Sequence, residues 1–315
     1  MREADIIRAV RSHLAVSAEQ RNAPFASDAE IIEIGEGLLA LTLDEFSAED
    51  GLSTDDPGLL GWNVVVATLS DLLAVGAEPR FLLTSVVAAE DMAEPWLAAF
   101  SGGMQDALDA FGAFALGGDV GTDQAWRVTG CGLGTLRGRP LDRIVRAENG
   151  ALVVTGALGD GNLAAAGGPT PRFECRLPEA RSLAVQEAAC IDTSDGLAVT
   201  LETFVKLNDG LSVTVDLDAV PYSSGIDKAA SALAVPREAF LLGSAGEYEL
   251  LAFVPESAAA RLVGLTPIGS FAKGAPPGIS YCRGSDCVEH ERLPDPRGAA
   301  DYRAQIVALA RKLFG

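Results

Sequence analysis

Apolar and polar positions along this chain follow two rhythms, one close to every second residue and one close to every third or fourth. From Glu30 to Asp44 the apolar residues alternate or cluster around Gly35 and Gly37, which predicts two short strands joined by a tight turn. "NVVVATLSDLLAVGAEP" then carries an apolar face from a cap at Asn63 to the stop signals Gly76 and Pro79, predicting a helix. "FLLTSVVAAE" reads as a strand. Leu97, Phe100, Met104, Leu108 and Phe111 recur at steps of three and four, a helical stripe opened by Pro95. "AFAL" predicts a strand that ends at Gly117, Gly118 and Asp119, and "WRVTGCGLGTL" a further, glycine-rich strand.

Residues 137–150, "RGRPLDRIVRAENG", are polar, basic and turn-prone, and read as the joint between two halves. Beyond them "ALVVTGALGDG" predicts a strand running into glycines, and the span from Phe173 to Cys190 a helix. "IDTSDGLAVTLETF" opens a second amphipathic helix with Leu197, Leu201, Phe204 and Val205 on one face and Gly210 as its end. "LSVTVDLDAVP" alternates cleanly with period two. A helix near 225–235, a loop and strand in "LLGSAGEYELLAFVP", strands around Lys273 and a last helix in "DYRAQIVALARKLFG" complete the pattern. Strands and helices mix in a similar order in each half, so the expected architecture is α/β (or α+β) in two lobes, residues 1–142 and 143–315.

Composition narrows the chemistry. Of 315 residues 48% are hydrophobic, enough for a substantial core, and no uninterrupted apolar run reaches 18 residues. The N-terminal "MREADIIRAVRSHLAV" has acids where a secretion signal would be basic and then apolar, so a cytoplasmic location with no membrane span is expected. Lys plus Arg number 24 against 44 Asp plus Glu, a formal charge of −20, which would repel a phosphate backbone and argues against nucleic acid as a partner. Five scattered cysteines suit reduced thiols; Cys282 and Cys287 form a lone C-x4-C with His290 as the only nearby further zinc ligand. The only histidines are His13 and His290, which leaves almost no material for a histidine triad. Gly-Lys never occurs and no G-x-G-x-x-G follows a strand, so nucleotide phosphates, if bound, are bound without the familiar loops.

The remaining candidates are carboxylates. Asp71 stands in an apolar helical stretch, where an uncompensated charge would cost several kcal/mol; it lies on a polar face, caps a neighbour or meets a cation. Asp119 follows two glycines and is either a ligand or an ordinary turn aspartate. Asp195 precedes Gly196 at a helix start, where an acid also complements the helix dipole. With Asp28 and Asp44, these acids recur beside Gly or Ser at element ends, as hard cations require when oxygen ligands come from several loops.

Six stretches, "NVVVATLSDLLAVGAEPRFLLTSVV", "ALGGDVG", "ALVVTGALGDG", "CIDTSDGLAVTLETF", "VDLDAVPYS" and "SAGEYELLAFVP", occur in an order and spacing that resemble the thiamine-monophosphate kinase branch of the aminoimidazole ribonucleotide synthetase superfamily. The resemblance implies an N-terminal ATP- and magnesium-binding domain whose strands pair in a homodimer barrel, and a second α/β domain. It implies a phosphotransferase moving the ATP γ-phosphoryl group to a small phosphorylated acceptor. By position Asp28, Asp44, Asp71, Asp119 and Asp195 match the family's metal ligands, with Asp119 and Asp195 at the chemistry. Asp71, Gly117, Gly118, Asp119 and Ser194 match residues near the nucleotide phosphates. The chain departs from the pattern at Ser27, in "ASDAE", where a carboxylate is expected, and at "GSAGEYELL", where the acid moves to Glu247. Another ATP-dependent reaction of the superfamily, or a non-catalytic nucleotide- or metabolite-binding role, are the alternatives.

Overall fold

The computed structural model describes residues 14–23, 25–48, 54–90, 92–259, 261–290 and 302–314; His13 lies outside them. Two sheets carry the mixed α/β fold. The first has the order β1-β2-β5-β3-β4, from β1 (Glu30–Ile34), β2 (Gly37–Ser47), β3 (Glu78–Ala89), β4 (Phe114–Asp123) and β5 (Arg127–Leu136). The second has the order β12-β11-β8-β10-β6-β9-β7. Its strands are β6 (Asn149–Thr155), β7 (Ala189–Asp192), β8 (Ser212–Asp216), β9 (Leu250–Pro255), β10 (Leu265–Ala272), β11 (Gly278–Arg283) and β12 (Asp286–Glu289). The proposed division at 142/143 falls in the connection between β5 and β6.

Helix α1 (Pro57–Ala74) is the centre of the first core. It starts earlier than its apolar face suggests, because Asp56 accepts hydrogen bonds from the Gly58 and Leu59 amides at 2.9 and 3.1 Å and Pro57 presets the first turn. Asn63 is therefore no cap. It is buried inside the helix, donating to the Pro171 carbonyl and accepting from the Phe173 amide at 2.8 and 3.1 Å. Helix α2 (Glu94–Phe111) crosses α1 closely. A Cβ on Gly61 would overlap the Phe100 carbonyl, and one on Gly103 the Gly58 carbonyl, so this crossing requires glycine on both helices. By length and apolarity α1 could span a bilayer; here it is buried between the first sheet, α2 and β7.

The second half of the chain adds α3 (Asp160–Ala165), α4 (Leu177–Ala184), α5 (Gly196–Leu207), α6 (Ile226–Leu233), α7 (Glu256–Ala259) and α8 (Tyr302–Phe314), of which α4 packs on α1. The expected helix from Phe173 to Cys190 is only α4. Its flanks are a loop held on α1, where Trp62 Nε1 donates to the Phe173 carbonyl at 2.6 Å, and the strand β7 containing Cys190. The expected strand end at Gly117–Asp119 is corrected as well: β4 runs on to Asp123, pairing Gly118 with Thr84 and Asp119 with Ser85 of β3. Gly118 is required there because a Cβ would overlap the Thr84 carbonyl. Cys282 and Cys287 are not reduced thiols but a disulfide between directly opposed residues of β11 and β12, while Cys131, Cys175 and Cys190 are free. Facing each other across a two-residue turn, the pair is close because of the hairpin register and not because of any long-range framework.

Candidate active site

Three elements distant in sequence bring carboxylates together. Asp71 lies in the last turn of α1, Asp192 is the final residue of β7, and Asp28 precedes β1. One oxygen from each lies within 4.8 Å of the other two. Asp192, 2% exposed, is held by the Ser194 amide and hydroxyl at 3.3 and 2.7 Å and by the Ser70 hydroxyl. The Thr42 hydroxyl, from β2, holds Asp71. Arg143 reaches Asp28 Oδ1 with Nε at 3.1 Å and with Nη2. The anchors on Asp28 and Asp71 each hold one oxygen, whereas both oxygens of Asp192 accept hydrogen bonds, Oδ1 from Ser194 and Oδ2 from Ser70.

Burial dominates the electrostatics. It pushes the Asp28 carboxyl up to about 7, against the opposing pull of Arg143, and Asp192 adds to the rise. Asp71 is raised well above the ordinary carboxylate range by burial first and then by Asp44, Asp192 and Asp28, which places Asp44 of β2 electrostatically with the group. Acids gathered with so little compensation would be costly unless a cation joins them. A buried atom fits that requirement: Asp28 Oδ2 has no hydrogen-bond partner among the described residues. An all-oxygen donor set of carboxylates suits Mg2+ or a similar hard cation. Ser27, at the position where a carboxylate is expected, has a buried hydroxyl instead.

Asp119 is elsewhere in geometry: it lies exposed on the edge strand β4. Gly117, with φ +127, and Gly118 form an irregularity in the β3–β4 register beside it. Asp195 stands at the N-terminus of α5, half-buried, without capping the helix through its side chain. Ser194 is exposed beside Asp192. Asp192 and Arg143 are the residues the sequence reading did not place in the site. Asp192 carried a signal, an acid closing a short buried strand, but the neighbouring Asp195-Gly196 pair at a helix start drew the assignment. Arg143 carried none, since its partner Asp28 lies 115 residues away.

A second polar group adjoins this one. The loop 243–249 is tied to the start of α5 through Glu247 N to Thr193 O at 3.0 Å and Thr193 N to Glu249 O at 2.8 Å. The Glu247 carboxylate accepts from the Gly161 amide at 3.0 Å, and burial pushes its carboxyl up to about 8. The Tyr302 hydroxyl of α8 accepts from the Ser244 and Ala245 amides at 2.8 and 3.1 Å.

The fold is that of the AIR synthase class, and residues 26–136 match the family described as AIR synthase related protein, N-terminal domain. A thiamine-monophosphate kinase of Halobacterium salinarum is 32% identical over 229 residues, 70% of this chain and 77% of that protein. The structure described as AaThiL complexed with AMPPCP and TMP superposes with a TM-score of 0.77 at 19% identity, covering 92% of this chain and 99% of that one. A hydrogenase maturation protein HypE in complex with ATP gives 0.68 at 18% identity, covering 94% and 96%. Likeness at that identity shows the fold alone. The chain belongs to the thiamine-monophosphate kinase family.

Proposed function

We propose that this protein is an ATP- and magnesium-dependent phosphotransferase that moves the γ-phosphoryl group of ATP onto the phosphate of thiamine monophosphate. The observation that carries this reading is the convergence of Asp28, Asp71 and Asp192 to within 4.8 Å, with one Asp28 oxygen buried and unpartnered. Family membership supports the reaction, and the structure described as AaThiL complexed with AMPPCP and TMP suggests the two ligand classes. Asp28, Asp71 and Asp192 would hold magnesium, with Asp44 adding charge. Bound there, the metal would offset negative charge on the triphosphate.

The chain's own residues do positional work. Arg143 fixes the orientation of Asp28, Thr42 that of Asp71, and Ser70 with Ser194 that of Asp192. The acceptor is itself a phosphate, whose second ionisation lies near about 6, so near neutral pH its oxygen attacks without a protein base. This accounts for an active site with no histidine among its described residues. Asp119 and Asp195 are proposed as further metal and catalytic ligands, and Gly117 and Gly118 as phosphate-proximal, on their family positions.

A homodimer with a cytoplasmic location completes the proposal. Leu43, Cys131 and Leu83 stand side by side across β2, β5 and β3, and Leu43 is 68% exposed. On the neighbouring strand β4, Phe114 pairs with Phe81, two residues before Leu83 on the same face, and is 66% exposed. An apolar sheet face of this kind is what a second copy would cover. Purified protein incubated with ATP, magnesium and thiamine monophosphate should form ADP and thiamine diphosphate in equal amounts. ADP formation that does not depend on the acceptor, or none at all, would contradict the reading.

A further inference from the structure

On a chain of charge −20, one groove gathers arginines. Two cavities of about 410 and about 300 Å³ adjoin, sharing Arg139, Ala184 and Val185. One wall is α4; the other is the segment 137–147 leading from the first sheet to the second. Arg181 is occupied by Glu78 through two bonds of 2.7 Å, and Arg146 by Asp142 at 2.7 and 2.5 Å. Those two acids are thereby used. Arg139, where the cavities meet, and Arg137, lining the smaller one, remain exposed, with no hydrogen bond or ion pair among the described residues. The Glu78 carboxyl is held below its ordinary value by Arg181 first, with Arg137 and Arg80 contributing, and Glu187 is the other acid lining the cavities. Beside the arginines the surface is apolar: Val185 is 78% exposed, with Leu177 and Phe253 lining the cavities below it.

Cationic forks without partners at the mouth of an apolar concavity match an oxyanion on a compact apolar body, and the volumes lie in the range of small-molecule sites. We propose that this groove is a second binding site, separate from the acid group, for a phosphorylated small molecule whose phosphate faces Arg137 and Arg139 and whose apolar part lies along Val185 and Leu177. The two sites lie on opposite sides of the same segment. Asp142 turns its carboxylate toward Arg146 at the groove, while its neighbour Arg143 turns toward Asp28. Along β7, Ala189 lines the groove and Asp192 belongs to the acid group, three residues or about 10 Å apart.

The test is titration calorimetry with inorganic pyrophosphate and phenyl phosphate in EDTA at low salt, where the metal-free carboxylates repel anions and binding reports the groove. Wild-type protein should bind each at one site. The double variant Arg137→Ala/Arg139→Ala should weaken both at least tenfold, at unchanged melting temperature and with magnesium-dependent ATP binding intact. Val185→Asp should weaken phenyl phosphate at least fivefold more than pyrophosphate. Citrate, a carboxylate anion of comparable charge, should bind at least tenfold more weakly than pyrophosphate. Absence of saturable binding, equal affinity in the double variant, equal loss of both probes in Val185→Asp, or citrate binding as tightly as pyrophosphate would each overturn the assignment.

Discussion

Replacing Asp71 with Asn should make the metal-free protein more stable and the metal-loaded protein less so. Two full carboxylate charges 4.8 Å apart repel by about 3.5 kcal/mol at an effective dielectric of 20. The protein escapes part of that cost by keeping a proton on a raised carboxyl, but this has its own limit. Holding a proton at pH 7 on a group that ordinarily ionises near 3.8 costs at most about 4 kcal/mol. Both routes give the same scale. Asn has the same shape, still accepts from Thr42 and carries no charge, so the variant should gain about 2–4 kcal/mol in EDTA. For a chain of this size that is a rise of roughly 4–8 °C in melting temperature. Magnesium at a hundredfold excess over its dissociation constant should stabilise the wild type by about 2.7 kcal/mol and the variant hardly at all. Scanning fluorimetry with EDTA or magnesium reads both effects. A variant that melts lower than the wild type in EDTA, or keeps the full magnesium-dependent rise, would refute the argument that Asp71 is a cation ligand held under repulsion.

Three further outcomes are expected. Glu247 holds its proton in the folded protein up to about pH 8 but would lose it near 4.5 when unfolded, so the folded state binds the extra proton in between. Its contribution to stability is therefore full below about 4.5, falls as pH rises to about 8 and is flat beyond; urea titrations of wild type against Glu247→Gln across that window should show the difference shrinking below 4.5 and a flatter profile for the variant. Gly118→Ala should lower stability by about 1–3 kcal/mol without any ligand present, since its Cβ would strike the Thr84 carbonyl; unchanged urea midpoints would contradict a role in strand pairing. Leu43→Arg should convert a dimer to a monomer in sedimentation velocity while leaving the far-ultraviolet circular dichroism intact, and a persistent dimer would place the interface elsewhere.

Where local periodicity decides an element, the sequence was readable. The β1–β2 hairpin turns at Gly35, with φ +62, and α5 and β8 follow their stripes. It failed where a side chain serves a distant partner. Asn63 resembles a cap, but its polar atoms are committed to Pro171 and Phe173 more than a hundred residues on. The stretch from Phe173 to Cys190 mixes a docked loop, a short helix and a buried strand, and its average composition hides those boundaries. In the site, Asp71 was legible as an acid in unfavourable company and Asp28 only by its position in the family pattern, and the structure brings them together. Asp192 was visible in the same motif as Asp195. Only the direction in which β7 ends, into the group held by Ser70, distinguishes the two. The exposed position of Asp119 follows from β4 continuing past its glycines, which period-two patterning cannot register in so glycine-rich a strand.

The central claim is that Asp28, Asp71 and Asp192 together hold the divalent ion that grips the triphosphate. Electron paramagnetic resonance of Mn2+, titrated into the protein with AMPPCP, measures this directly. The account predicts bound Mn2+ with resolved coupling to 31P of the nucleotide in the wild type, and at least tenfold weaker Mn2+ binding in Asp192→Asn and in Asp71→Asn. Mn2+ bound with wild-type affinity in both variants, or bound without coupling to the nucleotide phosphorus, would contradict it.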